Sequence, residues 1–169
     1  MTRKQILILL GMLVATVVCA TTVWLSLGRA PPTELATAER LAIAARWMLV
    51  PGLCLLVGVG FTANRRFLSA QAIDGGPATP GSAFDINLRY NLNTLEQAAL
   101  AAVAWSGLAL TLRPENLSLI PALAGLFAVG RIAFWIGYLF DPWARAFGLG
   151  VTFYPTAVAL VWLAVRTVA

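Results

Sequence analysis

Residues 88–97 read LRYNLNTLEQ, and within them Arg89, Asn93 and Glu96 stand at i, i+4 and i+7. On an α-helix that spacing puts all three on one face, with Glu96 about 10 Å further along the axis than Arg89. Arg131 and Tyr138, again seven apart, share a face of a later and otherwise uncharged run. Arg65, Arg66 and Arg145 stand at the ends of apolar stretches. Guanidinium groups gathered with carboxamides and a phenol are the chemistry of anion recognition, because arginine forks match carboxylate and phosphate geometry.

The elements that must position these groups are membrane spans. The chain has 169 residues, 60% hydrophobic and only 11% charged, with a mean hydropathy of +0.82. That excludes an ordinary soluble domain. Twelve basic residues against seven acidic give +5, and all the basic residues but Lys4 are arginine. With no basic tract and no interleaved aromatics, this charge suits lipid head groups or anionic ligands rather than nucleic acid.

Histidine is absent, which removes the commonest general base and the commonest metal ligand, and no metal site is expected. Cys19 and Cys54 lie inside apolar runs, where a thiol behaves as a small hydrophobe; neither reads as a disulfide partner, ligand or nucleophile. Any reacting group must therefore come from Arg, Tyr, Asp, Glu or Asn, or arrive with the substrate.

Five spans account for the chain, the first being residues 5–28, uncharged after MTRK and too long for the core of a signal peptide. A juxtamembrane helical stretch containing Glu39, Arg40 and Arg46 leads to a second span over 47–64. SAQAIDGGPATPGSAFD, rich in Gly, Pro and Ser, reads as the one substantial loop. Spans three to five are expected near 92–112, 117–140 and 146–165, with Pro155 inside the last. Trp24, Trp47, Trp143 and Trp162 fall near span ends as belt residues. With the N-terminus inside, six basic residues face in and five out, a slight bias toward that orientation.

Threading five spans back and forth brings the end of span two, the start of three, the end of four and the start of five to one side. Glu96 and Arg131 then reach about the same depth, and a buried ion pair between them is expected, since either charge alone in hydrocarbon would cost several kcal/mol. Such a pair can serve only to fix helix register, just as arginines at span ends can simply anchor to phosphates. Taken together with Asn91, Asn93, Glu96 and Tyr138, the cluster favours an anionic-ligand site, because polar groups within a membrane are usually functional.

ANRRFLSA, a loop with GG, LRYNLNTLEQ, GRIAFWIGY, RAFGLG and a Tyr-Pro in the last span together resemble the MAPEG family, the membrane-associated proteins in eicosanoid and glutathione metabolism. The resemblance covers about residues 47–166. It implies an all-α integral membrane bundle of four helices in residues 47–169, with residues 1–46 as an additional N-terminal span and connecting segment. It further implies a homotrimer with glutathione as co-substrate, bound near the cytosolic face by Arg65 or Arg66, Arg89, Asn93, Glu96, Arg131 and Tyr138. Arg145, with Tyr138, would stabilise the thiolate that attacks a lipophilic electrophile arriving through membrane lipid. Phe134 and Leu92 stand where eicosanoid-synthesising members carry other residues, so the resemblance points to a bacterial-type member in an inner membrane. The competing expectation is a non-catalytic protein of the same fold that binds lipid or serves as an assembly subunit.

Overall fold

The computed structural model describes residues 1–168, without the side chain of Gln71. The elements are α1 (Arg3–Ser26), α2 (Thr37–Trp47), α3 (Leu49–Phe67), α4 (Ala70–Ile73), α5 (Ala83–Thr111), α6 (Leu119–Phe140) and α7 (Ala146–Val168), with a 3-10 turn at Pro114–Asn116. The protein is an all-α membrane bundle. α1, the α2–α3 pair, α6 with its preceding turn, and α7 are each long and apolar enough to cross a membrane. The fifth long helix, α5, has 29 residues, about 43 Å at 1.5 Å per residue. It is less apolar because it carries Asp85, Arg89, Glu96, Gln97 and three asparagines.

α5 begins nine residues before the expected start of the third span. Ser82 caps α5 by accepting from Asp85 N at 3.2 Å, so LRYNLN lies well inside the helix rather than at its mouth. A serine N-cap followed by an aspartate in the first turn is a strong local start signal. The Gly/Pro-rich segment before it holds the short α4. The basic juxtamembrane stretch is α2, separated from α3 only by Met48. At the far end of α5, Arg40 Nη1 donates to the carbonyls of Ala109 and Leu112 at 3.1 and 2.8 Å, satisfying acceptors that a helix C-terminus leaves free.

Trp105, Ile120, Leu123, Phe127 and Val151 form the centre of the main core, where α5, α6 and α7 meet. α6 and α7 approach closely at Gly148, where a Cβ would run into the backbone of Gly130 and Phe134. α1 lies along α7 and buries Ala15 and Cys19. Its C-terminal end is tied to the turn before α6: Gly28 N donates to Asn116 Oδ1 at 2.9 Å and Ser118 Oγ to Ser26 O at 2.6 Å. The ends of α3 and α6 thus share one side of the bundle with the starts of α5 and α7.

Candidate functional site

Arg131 is fully buried on α6. Its Nη1 donates to Asn93 Oδ1 on α5 at 2.9 Å, and Asn93 Nδ2 donates to Glu96 Oε2 at 3.3 Å. The expected direct ion pair between Glu96 and Arg131 is therefore not formed. The face of α5 turned into the bundle carries Tyr90, Thr94, Gln97 and Ala101, all buried, whereas Glu96 lies off that face and is exposed. Arg131 is level with Asn93, a turn short of Glu96, and the carboxamide joins the two charges. Aromatic rings supply the rest of its surroundings: the guanidinium carbon lies 4.2 Å from the Phe134 ring centroid and 5.4 Å from that of Tyr90, an arrangement favoured by the ring quadrupole. Nε and Nη2 of Arg131 have no partner among the described residues.

Nearer the membrane end, Arg89, Tyr138 and Arg145 line one cavity of about 460 Å³ with Asp85, Asp141 and Pro142, a size within the usual range for small-molecule sites. α5 supplies Asp85 and Arg89, the end of α6 supplies Tyr138, and the turn into α7 supplies Arg145. The Arg145 guanidinium carbon sits 4.5 Å from the Tyr138 ring centroid. Arg89 Nε pairs with Asp85 Oδ1 at 3.1 Å. The Gly81 N–H, which donates to Asp85 at 2.9 Å, and then Arg89 hold the Asp85 carboxyl below its usual range. The cavity can take an anionic ligand with an ammonium: the arginines face carboxylates, and Asp85 and Asp141 supply acceptors.

The other expected residues lie elsewhere. Asn93, Glu96 and Arg131 form the chain described above, which does not line this cavity. Phe134, 5.9 Å from Tyr138 between ring centroids, separates Arg131 from it. Arg65 lines a smaller polar pocket of about 170 Å³ with Ser69, Thr79 and Ser82, and the Arg66 side chain is exposed. The expected set thus falls into two groups, Arg89, Tyr138 and Arg145 at the cavity and Asn93, Glu96 and Arg131 in the hydrogen-bonded chain.

A second polar cluster was not expected from the sequence. Asn87 Nδ2 and Asn91 Nδ2 on α5 both donate to Gly58 O and Thr62 Oγ1 on α3, at 2.7–3.1 Å. Tyr90 Oη donates to Cys54 O at 3.1 Å, and its ring stacks on Trp135 at 4.7 Å. Gly58 makes this possible, since a Cβ there would meet Asn91 and the Tyr90 ring. The signal was available in the spacing: Asn87 with Asn91, and Gly58 with Thr62, each recur at i, i+4, the pattern of a small-residue helix contact sealed by polar groups.

Five long helices around an apolar core, with arginines, asparagines and a tyrosine concentrated toward one end, define a multi-pass α-helical membrane protein. Residues 41–165 match the MAPEG family, and the chain belongs to that family. It is 31% identical over 115 residues to Transmembrane protein 79 of Mus musculus, covering 68% of this chain and 26% of that protein. Transmembrane protein 79 of Bos taurus is 30% identical over 115 residues with the same coverage. The chain therefore spans about a quarter of the length of these relatives. No solved structure gives a significant match.

Proposed function

We propose that the protein is a glutathione-dependent membrane transferase or peroxidase whose site is the cavity shared by Arg89, Tyr138 and Arg145. The convergence of these three side chains, from α5, α6 and the turn into α7, in about 460 Å³ carries the reading. Arg89, steadied by Asp85, offers a fork to one of the tripeptide's two carboxylates, and Asp141 offers an acceptor to its ammonium. Arg145, held over the Tyr138 ring, supplies the cation that favours the thiolate, lowering a thiol pKa by roughly one to three units. Bound glutathione supplies the nucleophilic sulfur itself, so a chain without histidine and with buried cysteines meets the requirement. In conjugation, an S–C bond forms at the electrophilic carbon of a lipophilic substrate as its leaving group departs.

The assembly is read as a homotrimer; the exposed carboxylate of Glu96 in mid-α5 supports a covering copy, because a charge left facing lipid is costly. Residues 1–46 serve as an N-terminal span added to a family domain of 47–169, in a bacterial inner membrane with the cavity toward the cytosol. α1, apolar over 24 residues, supports the first part of this reading.

One observation favours a non-catalytic protein of the same fold. Arg131, Asn93 and Glu96 are joined to one another away from the cavity, an arrangement that fixes helix register without any ligand. Thiolate absorbance of bound glutathione in the ultraviolet separates the readings. The enzyme reading expects the absorbance in wild type and its loss in Arg145→Ala with binding largely retained; no thiolate signal in wild type contradicts it.

A further inference from the structure

A second cavity, of about 450 Å³, lies at the opposite end of the bundle from the arginine site. Its walls are Cys19 and Ala20 of α1, Leu108 of α5, Leu123 of α6, and Pro155 and Trp162 of α7. They are almost wholly apolar, whereas Arg89, Tyr138 and Arg145 sit at the other ends of α5, α6 and α7.

A proline inside α7 lines this groove. Pro155 has no N–H, so the carbonyl four residues earlier loses its helical donor. That carbonyl belongs to Val151, and Cys19 Sγ of α1 approaches it at 3.6 Å, within reach for a thiol donor. α1 is thus tied to α7 where α7, though continuous, lacks one backbone hydrogen bond, and the groove opens beside that tie. From Tyr154 to Trp162 it follows α7 for about 12 Å, most of the roughly 15 Å depth of one leaflet. At its outer end the Arg166 guanidinium lies 5.1 Å from the Trp162 ring centroid, one helical turn beyond the last lining residue.

An apolar groove running along a helix axis, with the Arg166 guanidinium over an aromatic ring at its surface end, matches an acyl chain that ends in an anionic group. We propose that the α1–α7 groove is a binding site for the hydrocarbon chain of an anionic amphiphile, with Arg166 meeting its head group. This site is separate from the glutathione reading and does not depend on it.

Photolabelling of the full chain in nanodiscs tests the proposal, with diazirine-tagged palmitate in one arm, diazirine-tagged phosphatidylglycerol in a second and diazirine-tagged hexadecanol as the uncharged control. Label mapped by mass spectrometry is expected to concentrate in residues 16–23 and 154–162. Labelling by palmitate alone assigns the site to a free fatty acid and by phosphatidylglycerol alone to a phospholipid chain; either result supports it. Ala20→Trp, which fills the groove from a position exposed on α1, and Ala159→Phe are each expected to reduce labelling there severalfold while circular dichroism stays that of wild type. Ala20→Trp carries this arm alone if Ala159→Phe does not fold. Arg166→Gln is expected to weaken labelling by the anionic probes and spare hexadecanol. Label spread evenly over all lipid-facing helices, labelling indifferent to Ala20→Trp, or exclusion of label together with an interchain cross-link from a photoreactive residue at position 20 would overturn the proposal.

Discussion

The guanidinium of Arg131 meets the carboxamide of Asn93 at 2.9 Å, and Asn93 in turn donates to Glu96 at 3.3 Å. The buried cation of α6 is therefore answered by a neutral side chain, and the carboxylate is reached only through it. Aromatic faces at 4.2 and 5.4 Å supply much of the remaining stabilisation.

Asn93→Ala should accordingly be more harmful than its size suggests, because it leaves a buried guanidinium without its one side-chain acceptor. A loss of about 2 kcal/mol is expected, and Arg131→Met in the same background should recover part of it by removing the stranded charge. Unfolding in detergent across the four members of the double-mutant cycle checks this. Additive losses would show that the contact contributes nothing.

Charge exchange gives a second expectation. Because Glu96 and Arg131 are not in direct contact, Glu96→Arg combined with Arg131→Glu should be no more stable than the worse single variant. Recovery of stability in the double variant would mean that the two side chains pair directly.

Gly58 tests the α3–α5 contact. Gly58→Val is expected to destabilise the bundle by about 1–3 kcal/mol, the usual range for overpacking, since the new side chain meets Asn91 and Tyr90. Gly60, with nothing near its would-be Cβ, should accept alanine with little change, and comparing the two thermal midpoints checks both.

The Asp85 carboxyl is held below its ordinary range by the Gly81 N–H and by Arg89, so its contribution has a definite sign with pH. Stability from this group is fully present above the unfolded value of about 3.9. It fades as pH falls through the lower folded value, because the unfolded state then binds the proton more readily. Thermal midpoints measured from neutral to strongly acid pH should fall less steeply for Asp85→Asn than for wild type. Parallel curves would remove Asp85 from the acid limb.

The helices were largely legible in the sequence because an uncharged run of about 20 residues has few alternatives in a membrane. The start of α5 was not, since Ser82 and Asp85 stand inside a Gly- and Pro-rich stretch that reads as loop, and their capping role shows only once the helix is known. Of the candidate site residues, Arg89, Tyr138 and Arg145, placed by sequence near span ends, line one cavity. A direct Glu96–Arg131 pair follows from depth along two helices but not from rotation about them: Gln97 faces inward and Glu96 does not. The Asn87, Asn91, Gly58 and Thr62 contact is not legible from residue type alone, because asparagine serves ligand binding and helix packing alike.

The most direct test is thermal unfolding of the detergent-purified protein with and without millimolar glutathione, for wild type, Arg89→Ala and Arg145→Ala. Glutathione at a hundredfold over its dissociation constant should stabilise wild type by about 2.7 kcal/mol, and Arg89→Ala should lose that gain while Arg145→Ala largely keeps it. No stabilisation of wild type, or equal stabilisation by unrelated small anions, would contradict a glutathione site built from Arg89, Tyr138 and Arg145.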